Sequence, residues 1–93
     1  MVTIIWTEFA LDDLNEIHTY ISKDSKFYAD RYVDKLILRV EQLILNPKSG
    51  RVVPEFNIEN IRELIEGNYR IIYKLDFDSV SIVRVHHAAR LLK

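Results

Sequence analysis

Charged and proton-moving residues crowd the second half of this 93-residue chain: Arg51, Glu55, Arg62, Glu63, Arg70, Arg84, His86, His87 and Arg90. Two chemistries use such a set. A guanidinium can hold two oxygens of a phosphate while a nearby carboxylate or imidazole moves a proton. The same residue types also form plain ion pairs, Arg62 with Glu55 or Glu66 and Arg84 with an acid of a neighbouring strand, which contribute little when exposed. Residue types alone leave both open. Arg70 poses the question most sharply. In GNYRIIYKL, Gly67 to Leu75, alternation puts Tyr69, Ile71, Tyr73 and Leu75 on one face and Arg70, Ile72 and Lys74 on the other. A guanidinium cannot lose its charge, so Arg70 must be paired, or meet water or a ligand.

A metal is not expected. His86 and His87 are adjacent, so on a strand their rings point to opposite faces, and no third ligand has the right spacing. The phosphate-cradling, dinucleotide and G-x-S-x-G fingerprints are absent, and no cofactor is expected.

The elements that must position these residues are legible from periodicity. Val2 to Trp6, rich in apolar and β-branched residues, predicts a strand buried on both faces. Thr7 is placed to cap a helix, with Glu8 in its first turn and Trp6 and Leu11 at staple positions. Ala10, Leu14, Ile17 and Ile21 form the helix stripe, which ends near Lys23 and Asp24. Ser25 caps a second helix, whose stripe is Ala29, Tyr32, Val33, Leu36, Val40, Leu43 and Ile44. It stops at Asn46-Pro47, because the residue before proline leaves the helical region. Asn46 to Asn60 shows no sustained period and holds Pro47, Gly50 and Pro54, and long connections of this kind are often functional. Ile61 to Ile65, Tyr69 to Leu75 and Val80 to His87 read as three strands joined by tight turns at Gly67-Asn68 and Asp76 to Ser79. The prediction is an α+β domain in the order β-α-α-β-β-β. An antiparallel meander and an N-terminal strand carry a helical hairpin on one face, and Arg70 points to the other face if Tyr69 meets the helices. Tyr20, Phe27, Tyr28 and Tyr32 cluster at the helix joint, as core packing or as a patch for a partner.

Bulk properties narrow the class. The length predicts a single domain spanning residues 1–93, and 48% hydrophobic content suffices for one small core. The formal net charge is −1, unlike domains that bind nucleic acid through a general excess of Lys and Arg. The chain has no cysteine, which suits a reducing cytoplasm and removes disulfide and thiolate chemistry. The opening MVTIIWTEF does not have the form of a signal peptide, and no apolar run has the length of a membrane span, so a cytoplasmic protein without membrane attachment is expected.

The order of elements, the opening IIWTEFALDDLNEIHTYI, then NPKSGRVVPEF, IREL, GNYRIIYKL and VHHAARLL, resembles the RelE/ParE toxin superfamily of bacterial type II toxin–antitoxin systems along essentially the whole chain. The resemblance implies a growth-inhibiting toxin held by a cognate antitoxin in a hetero-oligomer. The antitoxin would fold around the helical hairpin, with Tyr20, Tyr28 and Tyr32 as its contacts. RelE-like members cut mRNA on the ribosome, whereas ParE-like members poison DNA gyrase. For the ribonuclease alternative the resemblance implies Arg70 as the phosphate-holding arginine and Glu55, in VPEF, as the general base. The lysine positions of another nuclease branch hold Ile61 and Glu63 here, Ala88 and Ala89 stand where a late catalytic side chain is wanted, and the tail HHAARLL is similar to the ParE-like H-x-x-R-x-L ending. The resemblance therefore favours a gyrase inhibitor that is not an enzyme. Its target-binding residues would be Arg62, Arg70, Arg84, His86, His87 and Arg90. A non-toxic binding module is the remaining alternative.

Overall fold

Thr7 begins the architecture by serving two elements at once. The computed structural model describes residues 1–89. Strand β1 (Thr3–Trp6) ends at Thr7, whose side chain accepts from the Ala10 amide at 3.2 Å and so caps helix α1 (Glu8–Ser22). The same hydroxyl donates to the Ile82 carbonyl at 2.7 Å, which ties the helix start to the sheet. Ser25 caps helix α2 (Lys26–Glu41) by accepting from the Tyr28 amide. A 3₁₀ turn (Gln42–Ile44) then finishes the helical hairpin before Pro47. Strands β2 (Arg51–Val52), β3 (Ile61–Glu66), β4 (Tyr69–Leu75) and β5 (Ser79–His87) follow.

The sheet has five strands in the order β1-β5-β4-β3-β2. The meander is antiparallel, and β1 pairs in parallel with β5. Gly67 sits at φ 58°, the first central position of a two-residue turn, a conformation for which glycine carries no steric penalty. That turn sets the β3–β4 register, Glu66 opposite Tyr69 and Ile65 opposite Arg70. The helices cover one face, where Leu14, Ile17, Leu36, Val40 and Leu43 pack on Leu64, Ile71, Tyr73 and Ile82. Burying a large apolar side chain of this kind contributes roughly 1.5–3 kcal/mol.

Two expectations change. Strand β1 is an edge strand with alternating burial, not one buried on both faces: Ile4 and Trp6 are half-buried, and Ile5 is exposed. Its neighbour lies on one side only, so an apolar run need not be enclosed. Leu11, expected to staple onto Trp6, is exposed.

The long connection is tied down along its length and contains β2, which had no periodic signal. It wraps around the β3 edge, from the helix-covered face to the other. Tyr73, fully buried, donates its hydroxyl proton to the Pro47 carbonyl and accepts from the Gly50 amide, both at 2.9 Å. Burial raises the phenol above its ordinary pKa, which keeps that proton in place. Beyond β2, a tight turn closes as the Phe56 and Asn57 amides donate to the Val53 carbonyl, with Asn57 at φ 52°. Tyr73→Phe leaves a buried carbonyl and amide without this partner. It should lower stability by about 1–3 kcal/mol, read as a drop in urea midpoint with unchanged slope.

Candidate functional site

Arg70 lies on the face away from the helices, as alternation predicted, but it does not meet solvent. Its side chain is 5% exposed, beneath the turn that carries Glu55. All three guanidinium nitrogens are engaged. Nε donates to Glu63 Oε1 at 2.6 Å, Nη1 to Glu55 Oε2 at 2.6 Å, and Nη2 to Glu55 Oε1 at 2.8 Å. The Glu55 contact is the two-pronged fork that a guanidinium also makes with phosphate. Hydrogen bonding to Glu55 first, and to Glu63 as well, raises the Arg70 pKa against the opposing effect of burial.

Glu63 and Arg51 stood in the charged set read from the sequence but were given no place beside Arg70. The Glu63 side chain is 0% exposed, and its second oxygen accepts from Arg51 Nε at 2.6 Å. The four residues form an alternating chain, Arg51–Glu63–Arg70–Glu55, whose formal charges cancel. A signal was available. A two-residue turn puts Glu63 opposite Ile72, diagonal to Arg70 on the same face.

The other predicted residues disperse. Arg62 stands opposite Tyr73, on the helix-side face of β3, and hydrogen-bonds the carbonyls of Glu59 and Gly50 at 3.1 and 3.0 Å. The ion pairs expected of it with Glu55 or Glu66 do not form. Arg84 pairs with Asp13 of α1, not with an acid of a neighbouring strand, through Nε at 2.8 Å and Nη2 at 3.0 Å. Asp13 also accepts from the Val85 amide at 2.8 Å. Strand β1 pairs with β5 only as far as Ile82, so Asp13 serves an amide that β1 does not reach. Its position three after Ala10, on the apolar stripe, was the missed signal. The three strand arginines therefore share no single basic surface. His86 and His87 do point to opposite faces: His86 is buried opposite Arg70, and exposed His87 meets the Tyr69 ring edge-on. Arg90 lies outside the described residues.

On the hairpin, Tyr20 and Tyr28 are exposed, whereas Tyr32 packs against Tyr69 and donates to the Glu66 carbonyl. Among the described residues, no cluster of His, Asp or Glu could hold a metal ion, and no helix is long and apolar enough to cross a membrane.

The ParE toxin family of type II toxin–antitoxin systems, parDE, matches residues 4–92 of the chain. The chain belongs to this family. Toxin RelE2 of Caulobacter vibrioides is 36% identical over 92 residues, 98% of this chain and 100% of the relative. Putative toxin Y4kP of Sinorhizobium fredii is 39% identical over 87 residues, 91% of this chain and 86% of the relative. The fold resembles a chain of the chromosomal ParDE toxin–antitoxin system of P. aeruginosa, with TM-score 0.76 and 21% identity over 94% of this chain and 96% of that one. It also resembles a chain of the RelBE2 toxin–antitoxin complex of Mycobacterium tuberculosis, with TM-score 0.69 and 21% identity over 92% and 96%. This ParE-family toxin is thus a type II toxin of the RelE/ParE superfamily. The names ParE and RelE both occur among its relatives, so names do not sort its target.

The ion-pair chain makes a direct stability prediction for this ParE-family toxin. Arg70→Met leaves the carboxylate of Glu63 buried with Arg51 as its remaining partner in that chain. The loss should be about 3–5 kcal/mol. Arg70→Met combined with Glu63→Met should cost clearly less than the two single changes added together, measured by urea unfolding.

Proposed function

We propose that this ParE-family toxin inhibits DNA gyrase and is neutralised by a cognate antitoxin. The supporting observation is the state of Arg70. A nuclease needs that guanidinium facing the scissile phosphate, where it neutralises developing charge. Here every guanidinium nitrogen donates to a carboxylate, and the charges of Arg51, Glu63, Arg70 and Glu55 cancel among themselves. A net charge of −1 for the chain also fits poorly with docking into an RNA-lined site. On this reading Arg70 supports structure. The proposed target contacts are then exposed His87 and, by the resemblance, Arg90, since His86 is buried and Arg62 and Arg84 share no surface.

One observation favours the ribonuclease reading. Glu55 and Arg70, the base and the phosphate holder that reading requires, are in direct contact. A substrate phosphate would have to part them. The two readings separate in paired assays. Purified toxin should accumulate gyrase-cleaved DNA, should leave ribosome-bound mRNA intact, and should lose potency with Arg90→Ala. Ribosome-dependent mRNA cleavage abolished by Glu55→Gln would instead establish the nuclease.

The antitoxin reading draws on the hairpin. Phe27, Tyr28 and Leu38 of α2 are 69%, 63% and 62% exposed, and with Tyr32 they line one shallow groove. Apolar surface of this kind suits the apolar side of a partner helix. The two solved neighbours come from toxin–antitoxin systems, as their titles state. Changing Tyr28→Ser and Leu38→Ser together should weaken antitoxin binding at least about tenfold, or 1.4 kcal/mol, in calorimetry with the product of the adjacent small gene. Failure of the wild-type proteins to co-elute in size-exclusion chromatography would remove the antitoxin reading.

A further inference from the structure

Strand β5 ends in a side chain that holds the backbone following it. His87 stands opposite Tyr69 at the last registered pair of the meander. Its ring meets the Tyr69 ring edge-on, with centroids 5.6 Å apart. Tyr69 is backed in turn by Tyr32 of α2 at 5.7 Å, and the Tyr32 hydroxyl donates to the Glu66 carbonyl of β3 at 3.2 Å. The imidazole therefore rests on an aromatic pair anchored to both layers of the fold. Its Nδ1 accepts from the Ala89 amide at 3.2 Å, which places the ring proton of the neutral form on Nε2. The Ala88 amide donates to the Asn68 carbonyl of the β3–β4 turn. The two residues after the strand thus have both amides taken, one by the turn and one by the ring.

We propose that His87 is a positioning residue: it sets the course on which the chain leaves the sheet at Ala88 and Ala89, and so the presentation of Arg90 to the target. The inference rests on the reading that the tail meets the target, and it divides the two tail contacts named there. Arg90 engages the target, and His87 aims it. Both hydrogen bonds after the strand are local, and the one to His87 is exposed, so the fold depends little on it. What it supplies is direction. Ordering backbone before an encounter removes a cost that binding would otherwise have to meet. The contact with Tyr69 restrains the imidazole, which keeps its acceptor nitrogen under the Ala89 amide. A target contact made by the His87 ring itself would need that ring free to turn outward, away from Tyr69.

The test compares the full wild-type chain with His87→Leu and His87→Asn. Leucine keeps an apolar contact for Tyr69 but accepts no hydrogen bond. Asparagine has no ring, yet its side-chain oxygen can accept from the amide two residues on. Hydrogen exchange at the Ala89 amide reads the bond, and gyrase-dependent DNA cleavage reads potency. His87→Leu should speed the exchange at least about tenfold and lower potency at least about tenfold, with an unchanged urea midpoint. His87→Asn should restore both. Growth arrest on induction, measured for the same three proteins, keeps failure of the gyrase reading apart. A wild type that arrests growth without acting on gyrase removes gyrase as the target, and the order of the variants in growth arrest then decides the positioning role. Ala89 protection regained in His87→Asn without potency would show that the ring itself meets the target, and would overturn the proposal. Full potency in His87→Leu would do the same. So would a wild type that leaves growth unaffected, or a wild-type Ala89 amide that exchanges as in an open chain, a result that needs neither variant to fold.

Discussion

A guanidinium inside a protein cannot discharge itself, and much of the second half of this structure follows from placing Arg70 there. The strand β4 must keep Tyr69, Ile71 and Tyr73 on the helix side, so alternation drives Arg70 to the opposite face. Burial then requires carboxylate partners. Glu63 supplies one from the neighbouring strand, and Glu55 supplies the other from the long connection. Glu63 in turn is an enclosed carboxylate, which brings Arg51 onto its second oxygen. Each charge thus sets the place of the next. Such a chain gives little net stability compared with apolar packing, but breaking it at one member is costly. Its role here is to hold Glu55 over β4, while buried Val53 anchors the start of the same turn.

The same logic operates at the other side of the sheet, with a backbone group as the group in need. Strand β1 pairs with β5 over Thr3 to Trp6 and stops, while β5 continues to His87. Asp13 meets the Val85 amide and holds Arg84 at the same time. A helix side chain thereby stands in for the missing strand, and α1 is located relative to the sheet by polar contacts as well as by Ala10, Leu14 and Ile17.

The elements were legible because each carries its own local signal. Thr7 and Ser25 cap as read, the helix stripes are the buried faces, and Gly67-Asn68 joins the strands predicted on either side. The strands Tyr69–Leu75 and Val80 to His87 needed at most one residue of adjustment. Partnerships were legible only where a short turn fixed the register. Glu63 could have been set beside Arg70 by counting back from Gly67, since residues around a two-residue turn pair in fixed order. Asp13 with Arg84, 71 positions apart, could not, because that pair depends on how far β1 extends and where α1 then lies. The ion pairs expected of Arg62 with Glu55 or Glu66 do not form for a related reason: β3 alternation puts it on the helix-side face, where carbonyls of the long connection satisfy it. The short strand β2 has no periodic signal of its own, and its pairing comes from the fixed edge of β3.

The double role of Arg70 changes how loss of function at this position must be understood. The resemblance that singled out Arg70 made it a phosphate holder, and a mutation that abolished toxicity would ordinarily be taken as support. In this chain the same mutation removes one of two arginine partners of an enclosed carboxylate and releases the turn that Glu55 anchors. Toxicity would fall whichever target the protein has. Glu55 separates the roles better, because it touches Arg70 alone among the members of the ion-pair chain and retains contact with solvent. Neutralising it weakens one fork while Glu63 still satisfies Arg70 Nε, so the enclosed part of the ion-pair chain is disturbed less than by a change at Arg70. The position that discriminates structure from chemistry is therefore the carboxylate on the turn, and not the arginine on the strand.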